Sequence, residues 1–99
     1  MFNVWIGDNL AHVEFEHANI FLVGPTDVQG TRQGTICRIS NLHNSDDPMY
    51  LGSSICNPSD EYNGNVGQKL ALTRAIEDAP RAVRAIIWAG YFKSRGYIN

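Results

Sequence analysis

At Val66 the spacing of the apolar residues changes, and the chain can satisfy both spacings only with two kinds of secondary structure. Before that point apolar and polar residues alternate, as in Val13-Glu14-Phe15-Glu16, which is the period of a strand. From Val66 onward Val66, Leu70 and Ile76, with the small Ala71 and Ala75 between them, return at helical spacing. The sequence therefore predicts an α+β fold, an N-terminal antiparallel sheet of about five strands over residues 1–56 followed by two C-terminal helices within about 60–95. Ninety-nine residues suit one small core, so residues 1–99 read as a single domain. The junction from Ile55 to Ile76 gathers polar side chains, glycines and unpaired helix amides, which makes it the natural place for a ligand.

Phe2–Ile6 and a run through Leu10, His12, Val13 and Phe15 flank Gly7-Asp8-Asn9 and read as a hairpin. Val13 and Phe15 share one face of the second strand, His12, Glu14 and Glu16 the other, with His12 and His17 as surface or rim residues. Asn19–Val23 is almost wholly apolar and reads as a separate, central strand ended by Gly24-Pro25. Thr26–Gly34 reads as a polar loop or irregular hairpin tip carrying Arg32. Thr35–Ile39 forms a fourth strand, Asn41–Pro48 a hydrophilic loop, and Met49–Cys56 a fifth strand with Gly52 as a bulge.

Ser59 or Asp60 can cap the helix that follows, while Asn63-Gly64 weakens its first turn. The first helix is expected over Val66–Ala79 and the second from Pro80 to about Ser94, with Gly96 marking its end. Val83, Ile86, Ile87, Trp88, Tyr91 and Phe92 cover more than one face of the second helix, which predicts a homo-oligomer.

A formal charge of −2 argues against a duplex nucleic-acid binder, whose affinity needs a strong cationic excess. No apolar run approaches the roughly 18 to 20 residues of a membrane span, and no signal peptide is recognised, so the chain reads as cytosolic. In that reducing compartment Cys37 and Cys56 are expected as free thiols, and His12, His17 and His43 lack the spacing of a zinc site. No metal or cofactor is expected. Asp46 and Asp47 are adjacent and do not converge as a carboxylate pair, and no triad, P-loop or dinucleotide motif supplies a nucleophile or base, so no enzyme activity is expected.

Five residues stand out as candidate ligand contacts. Arg74 lies on an otherwise small and apolar helix turn and is a rigidly held anion donor, although it can also pair with Asp78 one turn on. Arg81 and Arg84 read as a solvated face. Tyr62 can stack on a planar base and Gly67 lets backbone approach a phosphate; equally, Tyr62 can staple the helix and Gly67 can bring it close to the sheet. Asp60 can accept from a ribose hydroxyl or cap the helix. Gln68 enters through the comparison that follows.

The arrangement Cys56-x-x-x-Asp60-x-Tyr62-x-x-x-x-Gly67-Gln68-x-x-Ala71-Leu72-x-Arg74-Ala75-Ile76, followed by Arg84, Ile87-Trp88 and Tyr91, resembles the C-terminal half of small bacteriophage proteins. Among them is the first-described family of Thoeris anti-defence sponges, which sequester the cyclic ADP-ribose messenger made by bacterial TIR-domain sensors. The resemblance covers Gly52 to Tyr91 and implies a dimer or hexamer that binds a cyclic nucleotide in the cytoplasm of the infected host without turning it over. The family places a basic residue directly after the helix glycine and an arginine six positions later; here Arg74 keeps the second and Gln68 replaces the first. On this reading Arg74 holds a phosphate, Tyr62 stacks on adenine, and Gln68 and Asp60 bond ribose hydroxyls. Two other classes remain open. One is a protein-binding inhibitor of a host enzyme acting through the C-terminal helix and Asp46-Asp47; the other is a small single-stranded nucleic-acid binder using Trp5, Phe15, Tyr50 and Arg32.

Overall fold

The computed structural model describes residues 1–23, 28–55 and 63–96. Four strands, β1 (Phe2–Ile6), β2 (Asn9–Val23), β3 (Val28–Asn41) and β4 (Asn44–Ile55), form an antiparallel meander in the order β1-β2-β3-β4. Two helices follow, α1 (Gly64–Ala75) and α2 (Arg81–Ser94), giving the α+β arrangement expected.

The sheet has four strands rather than five because the expected second and third strands are one. Glu16-His17-Ala18 contains no turn residue, so β2 runs unbroken through it, and backbone pairing to β3 continues from Ala11↔Asn41 to Val23↔Val28. The polar segment expected as a loop is strand from Val28 onward, because a ladder is made by backbone groups and accepts polar side chains where a face is solvated. The hydrophilic loop expected over Asn41–Pro48 shrinks to a turn at Leu42-His43. There the Leu42 amide donates to the Leu10 carbonyl at 2.8 Å and the His43 amide to Asn41 Oδ1 at 2.9 Å. The register shifts of the β3–β4 ladder fall at Ile39, Ser40 and Asn41, not at Gly52. Gly7, at φ 61°, begins the two-residue β1–β2 loop, as a primed hairpin turn requires.

One face of the sheet is covered. Phe2, Val4, Ala11, Val13, Phe15, Cys37, Ile39 and Tyr50 alternate along the four strands and meet Leu72, Ile76, Ile87 and Tyr91 from the helices. Each large apolar side chain so buried contributes roughly 1.5–3 kcal/mol. Helix α1 lies on β3 and β4, and α2 on β1. Gly52 permits the first contact, since a Cβ there would strike the Ala71 carbonyl and the backbone of Ala75. It is a point of close approach rather than a bulge. Tyr91 is the centre of the second contact, edge-on to Phe2, Phe15, Trp88 and Phe92 with ring centroids 5.6–6.3 Å apart.

Asn63 caps α1, its Oδ1 accepting from the amides of Asn65 at 3.0 Å and Val66 at 3.3 Å. The residues expected to hinder the first turn therefore start it, and Ser59 and Asp60, expected as caps, lie outside the described residues. The helix ends at Ala75, earlier than expected. A turn through Ile76–Asp78 closes with the Ala79 amide on the Ile76 carbonyl at 3.0 Å and lets both Ile76 and Ala79 reach the core. Pro80 precedes α2 as its N-cap.

The expected surplus of apolar surface on α2 is mostly absorbed within the chain. Ile87 and Tyr91 are buried, Val83, Trp88 and Phe92 pack against the core, and Ile86 remains 37% exposed. Exposed apolar residues lie on the opposite sheet face, with Trp5 61%, Leu51 56% and Ile55 44% exposed, and on α1, with Val66 52% and Leu70 44% exposed. No described helix is long and apolar enough to cross a membrane.

Candidate functional site

Strand parity puts His17 on the helix-covered side with Val13 and Phe15, but beyond the end of the apolar core. Its cross-strand neighbour is Thr35, which in turn pairs with Ser54. Thr35 and Ser54 are buried polar residues in the floor beneath the first turns of α1. Ser54 Oγ donates to the Gly67 carbonyl at 2.8 Å. A Cβ on Gly67 would lie 2.6 Å from Thr35 Oγ1, so glycine is what allows the helix to settle on two hydroxyls.

Above that floor a polar relay connects β2, β3, α1 and the C-cap of α2. His17 Nδ1 is 3.0 Å from Thr35 Oγ1, and Gln68 Nε2 is 3.4 Å from His17 Nε2. Arg95 Nη1 donates to Gln68 Oε1 at 3.1 Å. The guanidinium thereby fixes the amide so that its NH2 faces the ring. One tautomer serves both ring contacts, with Nδ1–H donating to Thr35 and Nε2 accepting from Gln68. Arg95 is itself anchored: its backbone amide donates to the Tyr91 and Phe92 carbonyls at 3.1 and 3.2 Å, and its Cζ lies 5.8 Å from the centre of the Tyr91 ring. The first turn of α1 stands against His17 as well, with Gly64 positioned so that a Cβ would be 3.5 Å from the imidazole.

Beside the relay the surface dips into an open depression of about 170 Å³ lined by His17, Ala18, Asn19, Gln33 and Gly34. The arrangement offers amide donors and acceptors, an imidazole and one cation on rigid elements. It is suited to hold a small polar or anionic group. Acid–base or nucleophilic chemistry has less support, since both ring nitrogens of His17 are engaged and burial pushes the Cys37 thiol up to about 12. Cys37 is a free, buried thiol, as expected. No group of three or more His, Cys, Asp or Glu residues that could hold a metal occurs among the described residues.

No family model, curated protein or solved structure matches this chain.

Of the five candidates read from the sequence, Gln68 belongs to the relay and Gly67 sits on the floor beneath it. Arg74 does not. Its Nη1 donates to the Ser53 carbonyl at 2.8 Å, on the flank of α1 toward the edge strand β4, and no Arg74–Asp78 ion pair forms among the described residues. Asp60 and Tyr62 lie outside the described residues, as does Cys56. His17, Thr35, Asn63 and Arg95 were not singled out as contacts. The parity of His17 with Val13 and Phe15 is the signal that would have found it; Arg95 carries no local signal, because only the packing of α2 brings it to Gln68. The residues of the single-stranded nucleic-acid reading are separated, Phe15 and Tyr50 packing against the helix-covered core while Trp5 lies on the other face.

Proposed function

We propose that this chain binds a phosphate-bearing nucleotide and holds it without turnover, with a cyclic nucleotide messenger as the ligand class that the resemblance of its Gly52–Tyr91 segment implies. The observation that supports this is the Arg95–Gln68–His17–Thr35 relay beside an open polar depression. A binder of a small anion gains most from donors fixed before the ligand arrives, since little conformational freedom is then lost on binding. In this reading Arg95 takes the phosphate contact first expected of Arg74, and Gln68 and Asn19 offer hydrogen bonds to sugar or base. The biological setting that follows is a phage protein that lowers the free concentration of an immune messenger in the infected bacterium, as a homo-oligomer.

Calorimetry on ligand-free protein with cyclic ADP-ribose isomers and cyclic oligonucleotides tests the reading. Arg95→Ala is expected to weaken binding by roughly 1.5–3 kcal/mol, the range for a hydrogen bond to a charged group. Mass spectrometry of the small molecules released by heat should return the nucleotide intact. Absence of binding to every nucleotide, or a processed product, sinks the proposal. A second reading, a docking protein for a host enzyme, draws on the exposed Trp5, Leu51 and Ile55 of the uncovered sheet face. Capture of one defined host protein, abolished by Trp5→Lys and unaffected by Arg95→Ala, would favour it.

A further inference from the structure

The charge of this chain is divided between its two layers. Residues 1–55, which hold the four strands, carry Arg32 and Arg38 against Asp8, Glu14, Glu16, Asp27, Asp46 and Asp47, a net −4. Residues 64–96, which hold the two helices, carry Lys69, Arg74, Arg81, Arg84, Lys93 and Arg95 against Glu77 and Asp78, a net +4. Pairing with acids would mute that separation, and among the described residues none of the six helical cations forms an ion pair. Arg74 and Arg95 bond a backbone carbonyl and a side-chain amide, which leaves their charge in place.

The same layer has an apolar centre. Ala71, Leu72 and Ala75 turn one side of α1 to the sheet, and Ile87 and Tyr91 one side of α2. Both helices lie on the same sheet face, so their other sides look the same way. Exposed there are Val66, Leu70 and Thr73 of α1 and Ala85, Ile86 and Ala89 of α2. Thr73 gives its hydroxyl to the Lys69 carbonyl at 2.7 Å, so even this residue adds no unsatisfied polar group. Cations stand around that centre, Lys69 and Arg74 next to Leu70 and Thr73, and Arg81 and Lys93 at the two ends of α2. Glu77 and Asp78 are confined to the turn between the helices.

We propose that the outer face of the helical layer rests on an anionic phospholipid surface, its aliphatic centre against the upper acyl chains and its lysines and arginines among the headgroup phosphates. Charge complementarity selects an anionic occupant, and the side-chain types select lipid. A nucleic acid is held by stacking rings or by elements that enter a groove, and a protein partner by aromatic anchors seated in pockets. The residues exposed here are aliphatic or small, while Trp88 and Phe92 stack on each other and pack against the core. A fluid negative surface needs no such anchors; alkyl groups ringed by cations suffice. The excess of carboxylates in the sheet layer sets the orientation, since an anionic surface repels that side. The contact is peripheral, in keeping with helices too short to span a bilayer. It does not depend on nucleotide binding.

Co-sedimentation of the purified chain with vesicles tests it. The chain should pellet with vesicles of phosphatidylglycerol and phosphatidylethanolamine at low salt, stay in solution with phosphatidylcholine, and be released as salt shortens the Debye length toward about 3 Å at 1 M. Lys69→Glu combined with Lys93→Glu should weaken the partitioning by about tenfold or more. Leu70→Ser combined with Ile86→Ser should weaken it as well. All four residues are exposed, so circular dichroism should stay unchanged. Orientation is read with a polarity-sensitive thiol label in a Cys56→Ser background, Cys37 being buried. On vesicles the label should shift to the blue at Ala85→Cys, on the helical face, and not at Leu51→Cys, on the sheet face. No binding to the anionic vesicles, binding indifferent to the two glutamate substitutions, or a blue shift at Leu51→Cys alone overturns the inference. Tighter binding to a single-stranded oligonucleotide or an acidic polypeptide than to the vesicles, abolished by those substitutions, overturns it too.

Discussion

Arg74 and Arg95 are both arginines near Gln68 in space or sequence, yet their partners differ. Arg95 holds a side-chain amide, Arg74 a backbone carbonyl on the outermost strand. Arg74→Ala is therefore expected to lower stability by about 1 kcal/mol, seen as a lower urea midpoint, because an edge carbonyl loses its donor. Nucleotide affinity should not change; a loss of affinity at an unchanged midpoint would return Arg74 to the site. Helical spacing shows which residues share a helix but not which flank faces the neighbouring strand, so the sequence could group Arg74 with Gln68 while the fold separates them. Cys37 gives a test by pH. Its proton is held to about 12 in the folded chain against an ordinary 9.0, so above pH 9 the unfolded chain loses the proton first and stability falls as pH rises. The slope from this group approaches about 1.4 kcal/mol per pH unit between those values. Urea midpoints from pH 9 to 11 should fall less steeply in Cys37→Ala.

At the scale of elements, α1 is held at both ends by features only partly visible in its own sequence. Asn63→Ala should cost about 1 kcal/mol through the lost cap, measured by denaturant titration. Gly52→Ala should cost about 1–3 kcal/mol by forcing the helix off β4, with the near-ultraviolet dichroism of the aromatic cluster weakened alongside. The helices were legible because Val66, Leu70 and Ile76, with the small Ala71 and Ala75 between them, break the strict alternation of the strands, and because Pro80 and Gly96 punctuate them; the face that reaches the core is nevertheless Ala71, Leu72, Ala75 and Ile76, while Val66 and Leu70 stay exposed. Strand limits were less legible. Asn19–Val23 looks like a separate central strand by composition, but composition does not show that nothing in Glu16-His17-Ala18 turns the chain, so that the segment continues β2. The long β2 and β3 arise where nothing stops the ladder, which is a property of two segments together.

The whole molecule is a two-layer structure with helices on one side of a sheet whose other side shows Trp5, Leu51 and Ile55. If that side meets only water, Leu51→Lys should shift stability by no more than about 0.5 kcal/mol, and a larger loss that depends on protein concentration would reveal a covering partner. The packing of α2 on β1, with Tyr91 against Phe2, has a further consequence for synthesis. Each strand can pair with the one made just before it, so the meander assembles as it leaves the ribosome. The layer that covers β1 comes last. At about 5–20 residues per second the apolar face of the first hairpin waits on the order of seconds for the helix that closes it. During that interval the apolar face around Phe2 and Val13 is a surface a chaperone can engage, and only the docking of α2 withdraws it.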